Sequence, residues 1–356
     1  MKRIAINTGG GDAPGLNAVI RAIVLSAENR GWEAWGIRRG YEGLWSDGEA
    51  GVTRLTRQNV RGITHLGGTI LGTTNRGNPL EWPVEQPDGS VQTIDRSDEI
   101  LERMEARGFD GLVAIGGDGS LAIASVLAKK GLRVIGVPKT IDNDLAATQV
   151  SFGFHTAVQT ASDAIDKLHS TAESHRRVMV VELMGRHVGW IALFAGLSGT
   201  ADVILIPEIP YDMGKVCDKV EARYMAGREF AIVVAAEGAR PAGGDAVFKE
   251  EGRYGGIAEQ LAAQIQERTG RETRSLVLGH LQRGGQPVAY DRILALRFGA
   301  AAMELVEKGD WGCMVALDPP HVLSVPLEEA VARLKTVPVD GDVMCTARAL
   351  GISFGD

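Results

Sequence analysis

Short apolar runs of strand length recur along the chain, and most of them end in a glycine-rich or acidic turn before a segment with helical spacing. Residues 3–8 precede such a turn at 8–15, and residues 134–137 precede the acidic turn 138–144. Strands that alternate with helices build parallel sheets, which bind ligands beyond the carboxyl ends of their strands. The sequence therefore predicts a doubly wound α/β protein whose chemistry lies in these turns.

The periodicity of apolar residues places the individual elements. Helices are predicted at 16–29, 120–130, 153–170, 190–197, 261–268, within 288–308 and at 327–334, and strands at 3–8, 32–38, 109–115, 134–137, 178–183, 202–207, 230–236, 276–279 and 314–317, with a hairpin turn at 88–89 and a polar tail. A chain of 356 residues is long enough for two domains of roughly 100–200 residues each. We expect one domain from 1–152 plus 281–325 and the other from 153–280 plus 326–356.

Charge and cysteine content exclude some classes of protein. A net charge of −7 argues against general nucleic-acid binding, which needs a basic surface. Cys217, Cys313 and Cys345 form no C-x-x-C pair, which favours a reduced cytoplasmic setting, with simple packing roles as the plain alternative. No apolar run approaches the roughly 18 residues of a membrane span, and no signal peptide is visible before the first strand. We expect a cytoplasmic protein that binds neither membrane nor nucleic acid.

The turn 138–144 places two carboxylates, Asp142 and Asp144, just beyond a buried strand. Residues two apart in an extended segment point the same way, so we expect these carboxylates to face one ligand. A free Asp has a pKa of about 3.9, so an ionised Asp142 is a candidate general base for a hydroxyl proton. A structural Asx-turn is the alternative.

The turn 116–119, Gly-Gly-Asp-Gly, follows another predicted strand. Gly116, Gly117 and Gly119 allow backbone N–H groups to approach phosphate oxygens closely. Asp118 would repel a phosphate unless a cation bridged them, and Mg²⁺ is the cation that one or two carboxylates hold together with phosphate oxygens. The alternative is that Asp118 only caps the following helix.

Several polar residues of the second half lie beside predicted strands or loops. The arginines among them are Arg177, Arg186, Arg274 and Arg283. A guanidinium group binds two phosphate oxygens at once, although a single arginine is more often a solvated or paired surface residue. His280 is more typical of a hydrogen-bond donor than of a metal ligand. Glu237 suits sugar hydroxyls or a nearby arginine.

Seven motifs lie in or beside these turns. They are Thr-Gly-Gly-Gly-Asp-Ala-Pro-Gly-Leu-Asn-Ala at 8–18, Gly-Gly-Asp-Gly-Ser at 116–120, Pro-Lys-Thr-Ile-Asp-Asn-Asp at 138–144, Met-Gly-Arg at 184–186, Gly-Arg-Glu-Thr-Arg at 270–274, Gly-His-Leu-Gln-Arg-Gly-Gly at 279–285 and Tyr-Asp-Arg at 290–292. Jointly they resemble the 6-phosphofructokinase family over about residues 1–320. None of them alone is as specific as the set.

The resemblance implies a fold and a reaction. It implies two Rossmann-like domains with the active site in the cleft between them, the first domain binding nucleotide and Mg²⁺ and the second binding sugar phosphate. The implied reaction transfers a phosphoryl group from ATP to O1 of fructose 6-phosphate and gives fructose 1,6-bisphosphate, a step of glycolysis. The implied partner is a second copy of the chain, in a homodimer or homotetramer.

The resemblance also implies residue roles. Asp142 would be the base, with Thr140 and Arg186 as further catalytic residues, and Asp118 would hold Mg²⁺. The residues implied for the nucleotide are Gly11, Asn75, Arg76, Gly117, Asp118, Gly119 and Ser120. The residues implied for the sugar phosphate are Thr140, Ile141, Asp142, Arg177, Met184, Gly185, Arg186, Glu237, Arg274, His280 and Arg283, with Arg177 and Arg274 reaching the site of a neighbouring subunit.

The phosphoryl donor depends on two positions. Family members that use pyrophosphate typically carry Asp where this chain has Gly119, together with Lys at 139, and common bacterial ATP enzymes carry Gly at both. The pair Gly119 and Lys139 resembles the ATP-using branch of the mixed-substrate group, so we expect ATP. Asn75 stands where many ATP enzymes have arginine.

Three alternatives remain open from the sequence. The first is the same reaction with pyrophosphate as donor. The second is a lipid or NAD kinase, which rests on Gly-Gly-Asp-Gly alone and leaves 138–144 and 184–186 unexplained. The third is a silent nucleotide-binding subunit, although Asp118 and Asp142 are both present.

Overall fold

The structure, a computed structural model, describes residues 1–46, 48–74, 77–86, 88–250 and 253–356. The chain divides into two compact units. The first unit consists of Met1–His155 and Arg283–Leu334, and the second of Thr156–Gln282 and Lys335–Asp356. In the part of the chain that the structure describes, no helix is both long and apolar enough to cross a bilayer.

The elements follow one another in an alternating order. The chain begins with β1 (Arg3–Thr8), α1 (Leu16–Asn29), β2 (Glu33–Ile37), β3 (Val52–Leu55), β4 (Trp82–Glu85), β5 (Val91–Ile94), α2 (Ser97–Ala106), β6 (Gly111–Gly116), α3 (Asp118–Lys129), β7 (Val134–Thr140) and β8 (Phe152–Gly153). It continues with α4 (Phe154–His175), β9 (Val178–Leu183), α5 (Trp190–Ser198), β10 (Val203–Leu205), α6 (Met213–Met225), β11 (Ala231–Ala236), β12 (Phe248–Glu250), β13 (Arg253–Tyr254), α7 (Ile257–Thr269) and β14 (Thr273–Val277). It ends with α8 (Ala289–Lys308), β15 (Cys313–Asp318), β16 (His321–Pro326), α9 (Leu327–Ala330) and α10 (Asp342–Ala349).

The main sheet of the first unit has the strand order β16-β15-β7-β6-β1-β2-β3, with β8 beside β7. β1 pairs in parallel with both β2 and β6, and β6 pairs in parallel with β7. The chain therefore leaves β1 toward one side of the sheet and later builds the other side from β6. The border between β1 and β6 is the topological switch point, where open α/β sheets bind their ligands.

The strands around this switch point form the centre of the core. β6 and β7 are buried at every position, and β1 is buried at all but its first, as expected for parallel strands covered on both faces. The backbone N–H of Gly9 donates to the Ile115 carbonyl oxygen over 2.9 Å, which ties the end of β1 to the end of β6. The glycine turns after these two strands thus share one edge of the sheet.

The second unit is built around a parallel sheet with the order β10-β11-β9-β14. β9, β10 and β11 are almost fully buried, whereas β14 lies at the edge and is largely exposed. On the opposite edge, Ser353 forms a parallel bridge with Val203 of β10. The last residues of the chain therefore extend this sheet.

The comparison with the sequence confirms the α/β class and most predicted elements. The predicted helix at 16–29 and the predicted strands at 3–8 and 178–183 have the observed bounds, and the hairpin turn at 88–89 joins β4 to β5. The helix α6 was not predicted, and neither were the edge strands β3 and β16. The two edge strands are short and partly exposed, so they form mainly because the sheet offers them a partner. The helix α6 did carry a signal that was missed, because Met213, Val216, Cys217 and Val220 follow helical spacing after the N-cap Asp212.

Three expectations were wrong. β7 continues through Thr140, so Lys139 and Thr140 lie in the strand rather than in the turn. Residues 326–334 belong to the first unit, because Leu327 and Ala330 are buried in its core. The polar tail contains α10 and the fully buried Phe354, because these residues cover apolar surface of the second unit.

Candidate active site

The turns after β1 and β6 approach each other closely around Ser120. A Cβ atom built on Gly9 would lie 2.7 Å from the Ser120 hydroxyl oxygen, and one built on Gly116 would lie 2.3 Å from the Ser120 Cβ. Only glycine permits this approach. The 12-residue helix α3 begins here and points its unpaired N–H groups toward the edge of the sheet. Such a nest favours the oxygens of a phosphate.

Asp118 is the first residue of α3 and is exposed. The residue at the N-cap is Gly117, and no side chain caps this helix. The alternative interpretation of Asp118 as a helix cap is therefore wrong. The carboxylate is left at the mouth of a phosphate nest, where a cation would be needed to join it to a phosphate.

Lys139 brings a buried positive charge to the same edge. Its side chain is 3% exposed, and its ammonium group donates a hydrogen bond to the Gly11 carbonyl oxygen. Burial, and then the charge of Arg283, lower the pKa of Lys139 to about 8. Asp12, Asp142 and Asp144 act in the opposite direction. The lysine is thus held beside the glycine turn, where a phosphate would gain from its charge.

The acidic turn after β7 is shaped by Thr140. The Thr140 hydroxyl accepts a hydrogen bond from the Asp142 N–H over 3.1 Å, and its carbonyl oxygen accepts one from the Ser151 hydroxyl over 2.9 Å. Asn143 has φ 55°, a left-handed conformation that asparagine tolerates better than most residues. The expectation of an extended segment was therefore wrong. The turn is organised by a threonine hydroxyl, which leaves the Asp142 carboxylate half-buried at the end of the strand.

Asp144 is the residue that the sequence left without a role. Its side chain is 9% exposed, and its Oδ1 atom has no hydrogen-bond partner among the described residues. Burial, followed by the charges of Asp142 and Asp118, raises the pKa of Asp144 to about 7. The three carboxylates are thus close enough to repel one another. The available signal was its position two residues after Asp142.

These carboxylates fit a magnesium ion that is completed by a substrate. The described residues contain no group of three or more His, Cys, Asp or Glu side chains that could hold a metal by themselves. Mg²⁺ commonly uses only one or two carboxylates together with phosphate oxygens and water. The unpartnered oxygen of Asp144 and the exposed carboxylate of Asp118 meet that requirement.

Arg283 belongs to the first unit, although it was predicted with the sugar-phosphate residues. Its Nη1 atom donates to the Asp12 carbonyl oxygen over 3.1 Å. A Cβ atom on Gly11 would lie 2.7 Å from the same nitrogen. The guanidinium group therefore lies against the first glycine turn, beside Lys139.

In the second unit, three turns with predicted site residues follow neighbouring strands. Met184, Gly185 and Arg186 follow β9, Glu237 follows β11 and His280 follows β14. The Glu237 N–H donates to the Leu183 carbonyl oxygen over 2.8 Å, which joins two of these turns. Arg186 and His280 are exposed, and the Arg186 guanidinium lies 5.0 Å from the centre of the Tyr254 ring. The parallel sheet thus brings these residues to the same end, where its strands finish.

Arg177 and Arg274 lie at the amino ends of strands in that sheet, opposite the carboxyl ends that carry the turns. Arg177 precedes β9 and Arg274 is the second residue of β14, and both form ion pairs with Glu272, at 2.8 Å and 2.5 Å. A strand of six residues spans about 20 Å. The structure therefore separates these two arginines from Met184, Arg186 and His280 of the same chain.

Four further predicted residues are Asn75, Arg76, Ile141 and Gly119. Asn75 and Arg76 lie outside the described residues. Ile141 is fully buried, so only its backbone can face a ligand. Gly119 is the second residue of α3, and a Cβ atom built on it meets no described atom within 4 Å.

Comparison with known proteins identifies the family. The family description Phosphofructokinase matches residues 3–306. The ATP-dependent 6-phosphofructokinase of Chloroflexus aurantiacus is 52% identical over 355 residues, covering 100% of this chain and 98% of the relative. The chain belongs to the phosphofructokinase family. The ATP-dependent 6-phosphofructokinase 2 of Clostridium perfringens is 47% identical to this phosphofructokinase, over 100% of the chain and 99% of the relative.

Solved structures agree with this assignment. The T-state phosphofructokinase of Pichia pastoris superposes with a TM-score of 0.81 and 31% identity, over 93% of this chain. This phosphofructokinase spans only 35% of that yeast chain. A pyrophosphate-dependent phosphofructokinase from Marinobacter aquaeolei has a TM-score of 0.80 at 22% identity, over 99% of this chain and 92% of that one, which shows a shared fold alone.

Proposed function

We propose that this phosphofructokinase transfers the γ-phosphoryl group of ATP to O1 of fructose 6-phosphate, with fructose 1,6-bisphosphate and ADP as products. The observation that carries the proposal is the arrangement at the switch point. The buried Lys139 and the N-terminus of α3 provide positive potential for phosphates, and Asp118, Asp142 and Asp144 lie beside them. Phosphoryl transfer needs mainly positioning and neutralised charge, which this arrangement supplies.

In the proposed reaction Asp142 is the general base. Its carboxylate accepts the proton of the O1 hydroxyl while that oxygen attacks the γ-phosphorus, and the bond from phosphorus to the ADP oxygen breaks. Thr140 fixes the backbone of this turn through its hydroxyl, which holds the base in place. Such general-base assistance contributes about 10²–10⁴-fold to the rate.

Asp118 is the proposed magnesium ligand, and the orphaned oxygen of Asp144 supports a second carboxylate contact. When bound, Mg²⁺ would neutralise charge on the phosphates of the donor. Gly117, Gly119 and Ser120 contribute backbone N–H groups at the start of α3, and Gly11 contributes the facing turn. Asp144 must be ionised to serve this purpose.

Most of the residues proposed to bind the acceptor belong to the second unit, and Arg283 belongs to the first. Met184, Gly185, Arg186 and Glu237 would hold the sugar, and His280 and Arg283 would bind its 6-phosphate. Arg177 and Arg274 are proposed to serve a neighbouring subunit, because they lie at the amino ends of β9 and β14, a strand length away from the turns that carry the other residues. The exposed edge strand β14, with Val277 40% exposed, is consistent with a neighbour at that edge, in a homodimer or homotetramer.

ATP is the proposed donor for two reasons. The most similar relatives described above are named ATP-dependent. In addition, glycine at 119 is not required by the packing or backbone of this chain, since a Cβ there meets open space. The absence of a side chain at 119 would instead leave space for a phosphate group of the nucleotide. An assay of fructose 6-phosphate phosphorylation with ATP and then with pyrophosphate tests the proposal.

Faster turnover with ATP is expected. Pyrophosphate is the second candidate, because Lys139 is also typical of pyrophosphate-using members and its ammonium group donates to the Gly11 carbonyl oxygen at the glycine turn. Faster turnover with pyrophosphate would reverse the assignment of the donor while leaving the acceptor chemistry intact.

A further inference from the structure

The last residues of the chain form a strap, defined as residues 335–356, that is fastened to the second unit at both ends. Near its end, Ser353 exchanges hydrogen bonds with the edge of the sheet: the Ile204 N–H donates to its carbonyl oxygen over 2.9 Å, and its own N–H donates to the Asp202 carbonyl oxygen over 3.0 Å. At its beginning, the Trp190 indole N–H donates to the Lys335 carbonyl oxygen over 2.7 Å. The strap is therefore an ordered part of the unit.

Glu208 joins the beginning of the strap to the start of α5. Its Oε1 atom accepts from the Val337 N–H over 2.9 Å and from the Gly189 N–H over 3.1 Å, and its Oε2 atom also accepts from Gly189 over 3.1 Å. A Cβ atom on Gly189 would lie 2.3 Å from Ile206 and 3.0 Å from the Glu208 carboxylate. Gly189 is thus closely packed against Ile206 and the Glu208 carboxylate.

Gly189 is also the end of the loop 184–189, which carries Met184, Gly185 and Arg186. The loop is folded tightly on itself, because a Cβ atom on Gly185 would lie 2.7 Å from the Val188 carbonyl oxygen. At its start, the Met184 N–H donates to the Gln282 side chain over 3.3 Å. A displacement of Gly189 would consequently move the residues proposed to hold the sugar.

We propose that Glu208 is a positioning residue for the acceptor: together with Trp190, it uses the strap to fix the far end of the loop that carries Met184, Gly185 and Arg186. This inference rests on the proposed function, in which that loop binds fructose 6-phosphate. Glu208 itself is not proposed to contact the substrate. Its effect should be confined to the acceptor side, because the donor residues belong to the first unit.

The test compares Glu208→Ala with Glu208→Gln. The alanine variant removes all three acceptor contacts, whereas glutamine retains an oxygen that can occupy the Oε1 position and accept from both Val337 and Gly189. We expect alanine to raise the KM for fructose 6-phosphate about tenfold or more, with the KM for ATP unchanged, and glutamine to restore a value within about threefold of wild type. Hydrogen exchange at Gly189 and Val337 should accelerate together in the alanine variant.

A matched control is Asp212→Ala. Asp212 also places a carboxylate at a helix start in this unit, where it accepts from the Gly214 N–H over 2.6 Å. Its backbone N–H donates to the Gly355 carbonyl oxygen of the strap over 2.7 Å, and alanine retains that bond. We expect this variant to lower thermal stability without changing either KM. Trp190→Phe, which removes only the indole donor to Lys335, should raise the KM for fructose 6-phosphate in the same direction by about two- to fourfold.

Several outcomes would overturn the inference. One is a folded Glu208→Ala enzyme with an unchanged KM for fructose 6-phosphate, and another is an equal rise in both KM values. If Glu208→Ala does not fold, an unchanged KM in Trp190→Phe has the same force. A wild-type chain that does not phosphorylate fructose 6-phosphate contradicts the proposed function itself, and that result is obtained before any variant is made.

Discussion

The ammonium group of Lys139, near the end of β7, donates a hydrogen bond to the carbonyl oxygen of Gly11 in the turn after β1, although β6 lies between β7 and β1. The bond spans the switch point and leaves a buried cation beside two glycine turns. Because burial lowers the pKa of Lys139 to about 8, its charge is sensitive to mildly alkaline pH. The donor site should therefore respond to pH through this residue.

We expect the KM for ATP to rise as the pH increases through about 8, because the lysine of the free enzyme then loses its proton. Lys139→Met should have a higher KM for ATP at neutral pH and should lack this step. The measurement is the KM for ATP from about pH 6 to pH 10 in both proteins. A step of equal size in the methionine variant would show that another group causes it.

The lowered pKa of Lys139 also affects the stability of the folded chain. The folded pKa lies below the ordinary value of 10.5, so the unfolded chain binds more protons between these values and stability rises with pH in that window. Lys139→Met should therefore be more stable than wild type at pH 7, by about 2 kcal/mol. Urea denaturation at pH 7 measures the difference, and a less stable variant would contradict it.

Asp144 provides a separate test of the metal site. Its pKa is raised to about 7, so the folded chain binds more protons than the unfolded chain between about pH 4 and pH 7. The free energy of unfolding therefore falls as the pH rises through that window. Asp144→Asn should accordingly be more stable than wild type at pH 8, by about 2 kcal/mol, and should need at least about tenfold more Mg²⁺ for half-maximal activity. Thermal melting and a magnesium titration measure the two effects. Unchanged magnesium dependence would remove Asp144 from the metal site.

Gly119→Asp tests the donor assignment without disturbing the fold. The substitution meets open space in the first turn of α3, where an acidic side chain is favourable for the helix, so stability should be equal or slightly higher. Repulsion of the ATP phosphates should lower kcat/KM for ATP by about 100-fold. Gly119→Ala is the control and should keep most of the ATP activity. Unchanged ATP kinetics in the aspartate variant would contradict the steric and electrostatic argument.

Mixing two impaired variants, assayed at a low concentration of fructose 6-phosphate, tests the shared site. Asp142→Asn should lose turnover by about 10²–10⁴-fold, and Arg274→Ala should lose affinity for the 6-phosphate. If each site combines Asp142 of one chain with Arg274 of its neighbour, unfolding and refolding the two variants together restores about a quarter of the activity in a dimer, because half of the assemblies are hybrids with one intact site. No recovery from a mixture that refolds into hybrids would place Arg274 outside the neighbour's site.

Most of the alternating architecture could be predicted because the buried parallel strands are continuous apolar runs. The runs at 3–8 and 178–183 have the same bounds in sequence and structure. The strand β7 extended further than its apolar run, because Lys139 and Thr140 are polar residues that the fold nevertheless buries. Asp144 was missed for a related reason: its pKa is raised by burial and by the charges of Asp142 and of Asp118, which is distant in the chain.

The sequence by itself determined the fold class, the family and the identity of the turns that carry chemistry, because these depend on local spacing and on short motifs. Only the tertiary structure decided which turns lie side by side at the carboxyl ends of neighbouring strands. It placed Arg283 against Gly11, placed Arg177 and Arg274 at the amino ends of their strands, and joined Glu208 to Val337 across a long stretch of chain. Strand order and burial set these relationships, and neither is encoded in the spacing of residues along the chain.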